Sequence, residues 1–229
     1  VGKHVFGFAE GDGKNKKLLG GKGANLCEMT QIGLNVPPGF VISTEACLEY
    51  LESAERSLPA GVMDEVRAHM RALEEATGKG FGDPEKPLLV SVRSGSALSM
   101  PGMMDTILNL GLNNETLQGE IKQTGGPRLG HDASRRCVPL FGKVALGVPD
   151  EMFDAQFEAV KENAHVKEDV GLSANDLKEI SDRFLKVIEE HTGRPFPEDP
   201  YDQLEIAIKA VFNSWMGRRA VDYRRQFNI

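Results

Sequence analysis

Apolar residues recur along this chain with two periods, and the shift from one to the other divides it. In the first half short alternating runs are mixed with helical stripes. His4 to Phe8 alternates weakly and predicts a short strand, followed by a polar, Gly-containing loop over Glu10 to Lys17. Leu26, Met29 and Ile32 mark one face of a helix that Gly33 closes. Phe40 to Ser43 is strand-like, and Thr44 predicts a cap for a helix reaching Leu51, with Glu45 near its positive end. Val62, Val66, Met70 and Leu73 predict an amphipathic helix over 61–77 stopped by Gly78. The clearest strand runs from Leu88 to Arg93. Its alternation puts Leu88, Val90 and Val92 on one face and Leu89, Ser91 and Arg93 on the other. Thr106 to Leu112 reads as a returning strand ended by Asn113-Asn114.

Beyond Asn114 nearly everything has the helical period, including Glu151 to Asn163 and Asp176 to Glu190. Ser173 and Asp176 form a start resembling a capping box for the second of these. Pro139 predicts a kink or break inside the helical composition of Asp132 to Val148. The proline-rich Arg194 to Pro200 predicts an internal boundary before a closing helix with Leu204, Ile208, Val211 and Trp215 on its core side. The pattern as a whole predicts an α+β chain.

Composition narrows the choice of partners. With 229 residues, 40% of them hydrophobic, the chain can bury a real core. Its net charge of -7 excludes general affinity for nucleic acid, so an anionic ligand needs a local positive site. Cys27, Cys47 and Cys137 lack zinc spacing and read as buried thiols in a reducing compartment. No apolar stretch approaches a membrane span, and the first residues carry no signal-peptide core. These features predict a soluble, intracellular protein without membrane contact. A first residue other than Met and an end at Ile229 predict a piece of a longer chain.

Two short elements offer what a polyphosphate needs. Gly20-Gly21-Lys22-Gly23 puts a cation among residues small enough for backbone N–H groups to come close. A Walker loop is excluded, because Lys16 stands where its first glycine belongs and Gly23 where its metal-binding hydroxyl belongs. Either the amides and ammonium converge on an anion at a helix start, or the glycines serve only a tight turn and Lys22 meets solvent. Arg93, at a strand end before Ser94 to Thr106 (SGSALSMPGMMDT), offers a planar fork for phosphate, or else an ion pair with a carboxylate such as Asp105. The five histidines are scattered, and Arg218, Arg219, Arg224 and Arg225 read as a solvated helix end or a docking patch.

The segments LLGGKGANLCEM (18–29), VPPGFVISTEAC (36–47) and PLLVSVRSGSALSMPGMMDTILNLGLN (87–113) resemble the nucleotide-binding N-terminal domain of the pyruvate, phosphate dikinase family. The likeness runs to the end of the chain, through AVFNSW (210–215). SMPGMMDT separates it from the related phosphoenolpyruvate synthase, whereas 128–149 departs from the family's Pro-free helix.

The resemblance implies an ATP-grasp N-terminal lobe with a mixed sheet, made of 1–113 and 197–229, with a helical insert at 114–196. It implies ATP and Mg²⁺ as cofactors, Lys22 and Arg93 on the phosphates, and Gly20, Gly21 and Gly23 beside them. Gly102, Met104, Asp105 and Thr106 would lie over the terminal phosphates, and no metal ligand is expected in this stretch. The implied partners are ATP, a swivelling domain that carries a phosphohistidine, and pyruvate and phosphate in the whole enzyme, a homo-oligomer of the cytoplasm, an organelle matrix or a plastid stroma. The other functions open at this point are a related dikinase with another acceptor and a noncatalytic nucleotide-sensing or docking module.

Overall fold

Strand β1 (Val5–Gly7) runs antiparallel to β2 (Phe40–Ile42), with Phe6 opposite Val41, in a computed structural model that describes residues 2–228. Helix α3 (Val62–Thr77) secures this ribbon, because the Glu65 carboxylate accepts the backbone N–H groups of His4 at 3.0 Å and Val5 at 2.9 Å. Val62, Val66 and Met70 turn the buried stripe of α3 inward, and Gly78 ends the helix in the left-handed conformation that favours glycine.

Helix α1 (Lys16–Gln31) takes in the last two residues of the expected loop, and Gly20, at φ 68° and ψ 163°, interrupts it. Two helical pieces therefore meet at the glycines. The buried face of α1 is Leu19, Gly20, Gly23, Ala24 and Cys27, while Met29 and Ile32 of the expected stripe are exposed. Small residues pack inward here because β2 lies close: a Cβ at Gly23 would come within 2.8 Å of Val41 Cγ1. In α2 (Thr44–Glu52) the cap is Ser43 and not Thr44. The Ser43 hydroxyl accepts the Ala46 N–H at 3.2 Å, and Thr44 instead donates its hydroxyl to the Lys17 carbonyl at 2.6 Å.

Strand β3 (Val90–Arg93) pairs with β4 (Thr106–Leu110), two residues shorter than the returning run expected to Leu112. The helices that follow are α4 (Thr116–Thr124), α5 (Pro127–Leu146), α6 (Asp150–Asn163), α7 (Ala174–Thr192), α8 (Pro200–Ser214) and α9 (Arg218–Phe227), with a 3-10 turn at Asp169–Gly171. Pro139 does not break α5, which is continuous over 20 residues. An interior proline costs about 3 kcal/mol or more. The apolar burial of Cys137, Val138 and Phe141 along one side of α5 works against that cost. Helix α7 begins with the expected capping box, Ser173 Oγ accepting the Asp176 N–H while the Asp176 carboxylate accepts the Ser173 N–H.

The chain divides into two compact units, one made of residues up to Gly78, Arg93–Asp105 and the residues from Ile208 on, the other of Lys79–Val92 and Thr106–Ala207. In the second unit Gln203 is fully buried. Its amide accepts from Gly111 N–H at 2.9 Å and donates to the carbonyls of Leu112 at 3.0 Å and Pro197 at 2.8 Å. No described helix is long and apolar enough to cross a membrane.

Two predictions follow from this packing. Gln203→Leu keeps the volume but strands three buried backbone groups, so it should cost about 2–4 kcal/mol, read as a lower urea midpoint. Glu10 titrates far below the ordinary carboxylate value, at about 2, because Lys3 Nζ, the Gly7 N–H and His69 all bond it. The folded state thus releases this proton more readily than the unfolded chain, whose carboxyl titrates near 4.5. Its contribution is complete above pH 4.5 and lost as pH falls toward 2. Glu10→Gln should flatten the acid limb of the stability curve in that window and leave the neutral region's slope unchanged.

Candidate nucleotide-phosphate site

Local sequence builds this site from two turns pressed together. Gly20 carries the chain through a positive φ that costs a side chain about 1–2 kcal/mol. There is also no room for a side chain, since a Cβ at Gly20 would lie 3.0 Å from the Gly95 carbonyl carbon. The next residue closes the contact, the Gly21 N–H donating to the Ser96 carbonyl at 2.7 Å. A Cβ on Gly95 would sit 3.7 Å from Lys22 Cβ, so the lysine stem lies over the backbone two residues after Arg93. The start of the second piece of α1 and the end of β3 are thus neighbours.

Lys22 and Arg93 are both exposed. Among the described residues neither forms an ion pair; the Asp105 carboxylate, considered above as a partner for Arg93, binds Arg219 at 3.0 Å instead. Two cations without an ion-pair partner among the described residues thus stand on adjoining backbone in a chain of net charge -7. Of the glycines, Gly20 and Gly21 face the Gly95-Ser96 backbone and Gly23 is taken up by packing against Val41.

The SMPGMMD stretch folds as a type II turn. Pro101 precedes Gly102 at φ 72°, and the Met103 N–H returns to the Met100 carbonyl at 3.2 Å. Met100 is buried and anchors the turn, while Met104 and Asp105 are half-buried. The Asp105 N–H donates to Ser214 Oγ at 3.3 Å, and Arg219 reaches the Gly102 carbonyl at 3.4 Å. Thr106 opens β4 and belongs to the second unit.

Ser214 and Arg219 were not foreseen as partners of this loop. They lie more than a hundred residues from it, and the only local signal was a basic cluster at a helix start. The remaining arginines of that cluster divide. Arg224 lies 3.9 Å over the Trp215 ring and donates to the Trp215 carbonyl at 2.7 Å, whereas Arg218 is almost fully exposed. No group of three metal-ligating side chains gathers among the described residues. Cys137, buried, and Cys47, half-buried, are both pushed up to about 12 by desolvation, which makes them poor nucleophiles.

Comparison with known proteins sets the class of this α+β chain, a nucleotide-binding domain. The chain belongs to the family described as pyruvate phosphate dikinase, AMP/ATP-binding domain, whose model matches residues 16–59 and 54–229. It is 57% identical over 227 residues to a pyruvate, phosphate dikinase of Entamoeba histolytica, covering 99% of this chain and 26% of that protein. It is 47% identical over 230 residues to the Clostridium symbiosum pyruvate, phosphate dikinase, covering 100% of this chain and 26% of that protein. A third relative, the chloroplastic pyruvate, phosphate dikinase 1 of Zea mays, is 49% identical over 226 residues, 97% of this chain and 24% of its own length. The chain therefore spans about a quarter of the length of these relatives.

The two left-handed glycines separate steric crowding from backbone strain. Gly20→Ala should lower the thermal midpoint clearly more than Gly102→Ala, because nothing lies within 4 Å of a Cβ at Gly102. Both substitutions carry the positive-φ penalty of about 1–2 kcal/mol, and only the first also pushes apart the two turns.

Proposed function

We propose that this chain is the ATP-activating lobe of a pyruvate, phosphate dikinase, with Lys22 and Arg93 gripping the nucleotide's phosphate chain. The observation that carries the reading is the Gly21-to-Ser96 hydrogen bond, which seats two unpaired cations on adjoining backbone. Family membership supports the nucleotide, since the matching model is an AMP/ATP-binding domain. In this reading the lysine ammonium acts as a point charge and the arginine fork makes paired contacts. Gly20 and Gly21 serve this grip by letting the Gly95-Ser96 backbone come close to the Lys22 turn. The Met100–Asp105 turn and Thr106 cover the terminal groups.

The fold is read as an ATP-grasp lobe of 1–113 and 197–229 with a helical insert at 114–196; Val1 and Ile229 lie outside the described residues. In this reading Mg²⁺ arrives on the nucleotide, held by its phosphates.

The reaction assigned to the whole enzyme proceeds in three phosphoryl-transfer steps. A histidine nitrogen of a swivelling domain attacks the β-phosphorus of ATP and AMP departs. Inorganic phosphate then takes the terminal phosphoryl group as diphosphate. The phosphoryl left on histidine passes to pyruvate, giving phosphoenolpyruvate. Because such a transition state makes few new covalent demands, the lobe contributes position and positive charge. We place the whole enzyme in the cytoplasm, an organelle matrix or a plastid stroma, as a homo-oligomer.

The test is a partial-reaction assay in the longer enzyme. Lys22→Ala and Arg93→Ala should each slow ATP-dependent histidine phosphorylation by about 10²-fold or more, the scale of losing one preorganised charge contact. Exchange between pyruvate and phosphoenolpyruvate should keep its rate. Equal loss in both halves would contradict the assignment.

A further inference from the structure

From the loop's side-chain contacts we infer that Arg219 and Ser214 are positioning residues that clamp the Met100–Asp105 turn shut and cancel the Asp105 charge beside the phosphates. The inference rests on the reading of that turn as the phosphate cover. Arg219 makes two contacts with it: Nη2 to the Asp105 carboxylate at 3.0 Å, and Nη1 to the Gly102 carbonyl at 3.4 Å. Ser214 holds the same residue from the backbone side, accepting the Asp105 N–H at 3.3 Å while donating its own proton to the Val211 carbonyl at 2.6 Å. The end of α8 and the start of α9 therefore fix both the peak of the turn and its exit.

Charge gives this arrangement a purpose beyond tethering. Asp105 stands in a segment read as covering an anionic ligand, where a bare carboxylate would repel phosphate oxygens. The Arg219 guanidinium turns that repulsion into a neutral pair. The side chains of Arg219 and Asp105 remain 66% and 30% exposed, so water and salt weaken the pair. Such a contact biases a loop without locking it. The clamp is matched to a cover that must open for nucleotide and close over it.

The local turn cannot supply this restraint alone. It has one internal bond, Met103 N–H to Met100 carbonyl, and one buried anchor, Met100. Neither reaches Asp105.

The experiment follows amide hydrogen exchange at Met103 and Asp105 by NMR in this chain, and ATP kinetics in the longer enzyme, for Arg219→Ala, Arg219→Lys, Asp105→Asn and the Arg219→Ala/Asp105→Asn double variant. Arg219→Ala should speed exchange at both amides and raise KM for ATP about fivefold, with a smaller change in kcat, the scale of a partly exposed ion pair. Arg219→Lys should recover most of the KM. In the Asp105→Asn background, removing Arg219 should cost little further, because no carboxylate then needs neutralising. Unchanged exchange and KM in Arg219→Ala, while Lys22→Ala still abolishes histidine phosphorylation, would overturn the clamp and leave the phosphate site standing. Slower turnover at unchanged loop exchange and ATP KM would equally overturn it, assigning Arg219 to a partner surface. If Lys22→Ala is also without effect, the reading of the site itself fails.

Discussion

One backbone hydrogen bond, from the Gly21 N–H to the Ser96 carbonyl, holds together the two pieces of chain on which the proposed chemistry rests. It forms only because neither turn has a side chain in the way. Gly20 is left-handed and touches Gly95, and Lys22 crosses above Gly95. An ordinary residue at position 20 would have to shift the neighbouring backbone and carry a strained φ as well. The glycines here serve proximity: they let a lysine and a strand-end arginine occupy adjoining backbone in a chain that is acidic overall.

The surrounding elements fix this contact in place. Helix α1 leans on β2 through Gly23 and Val41, and β1, β2's partner, is tied to α3 by Glu65. After Ser96 the chain makes the Met100 turn, whose exit is held by Ser214 and Arg219. Residues from three stretches of sequence thus share one compact unit, while the other unit gathers α4 to α7 around its own core of Phe141, Leu177, Ile180 and Ile188.

Much of this was legible in the chain itself, and the exceptions have physical causes. Periodicity found β1, α3, β3 and the capping box of α7, because each is specified by residues near in sequence. It misjudged α1, where the buried face beyond Leu19 is made of Gly, Ala and Cys. Close packing against β2 selects small residues there, and a search for large apolar ones picks out Met29 and Ile32, which face solvent. Pro139 was read as a breaker because local rules omit the buried side of α5 that compensates for it. Lys22, Arg93 and the glycines were visible as candidate chemistry, but spacing could not tell a phosphate site from a plain turn. In the structure the glycines pack against the Gly95-Ser96 backbone, and among the described residues neither cation forms an ion pair. Arg219 was invisible as a loop partner because its contact spans more than a hundred residues.

The central claim, that Lys22 and Arg93 grip one phosphate chain, is tested most directly by the acylation rate of individual lysines in the longer enzyme, read by mass spectrometry with and without ATP. The account predicts that ATP shields Lys22 while exposed lysines such as Lys14 and Lys178 react as before, and that Arg93→Ala removes the shielding. Acylation of Lys22 at the same rate with and without saturating ATP would contradict it.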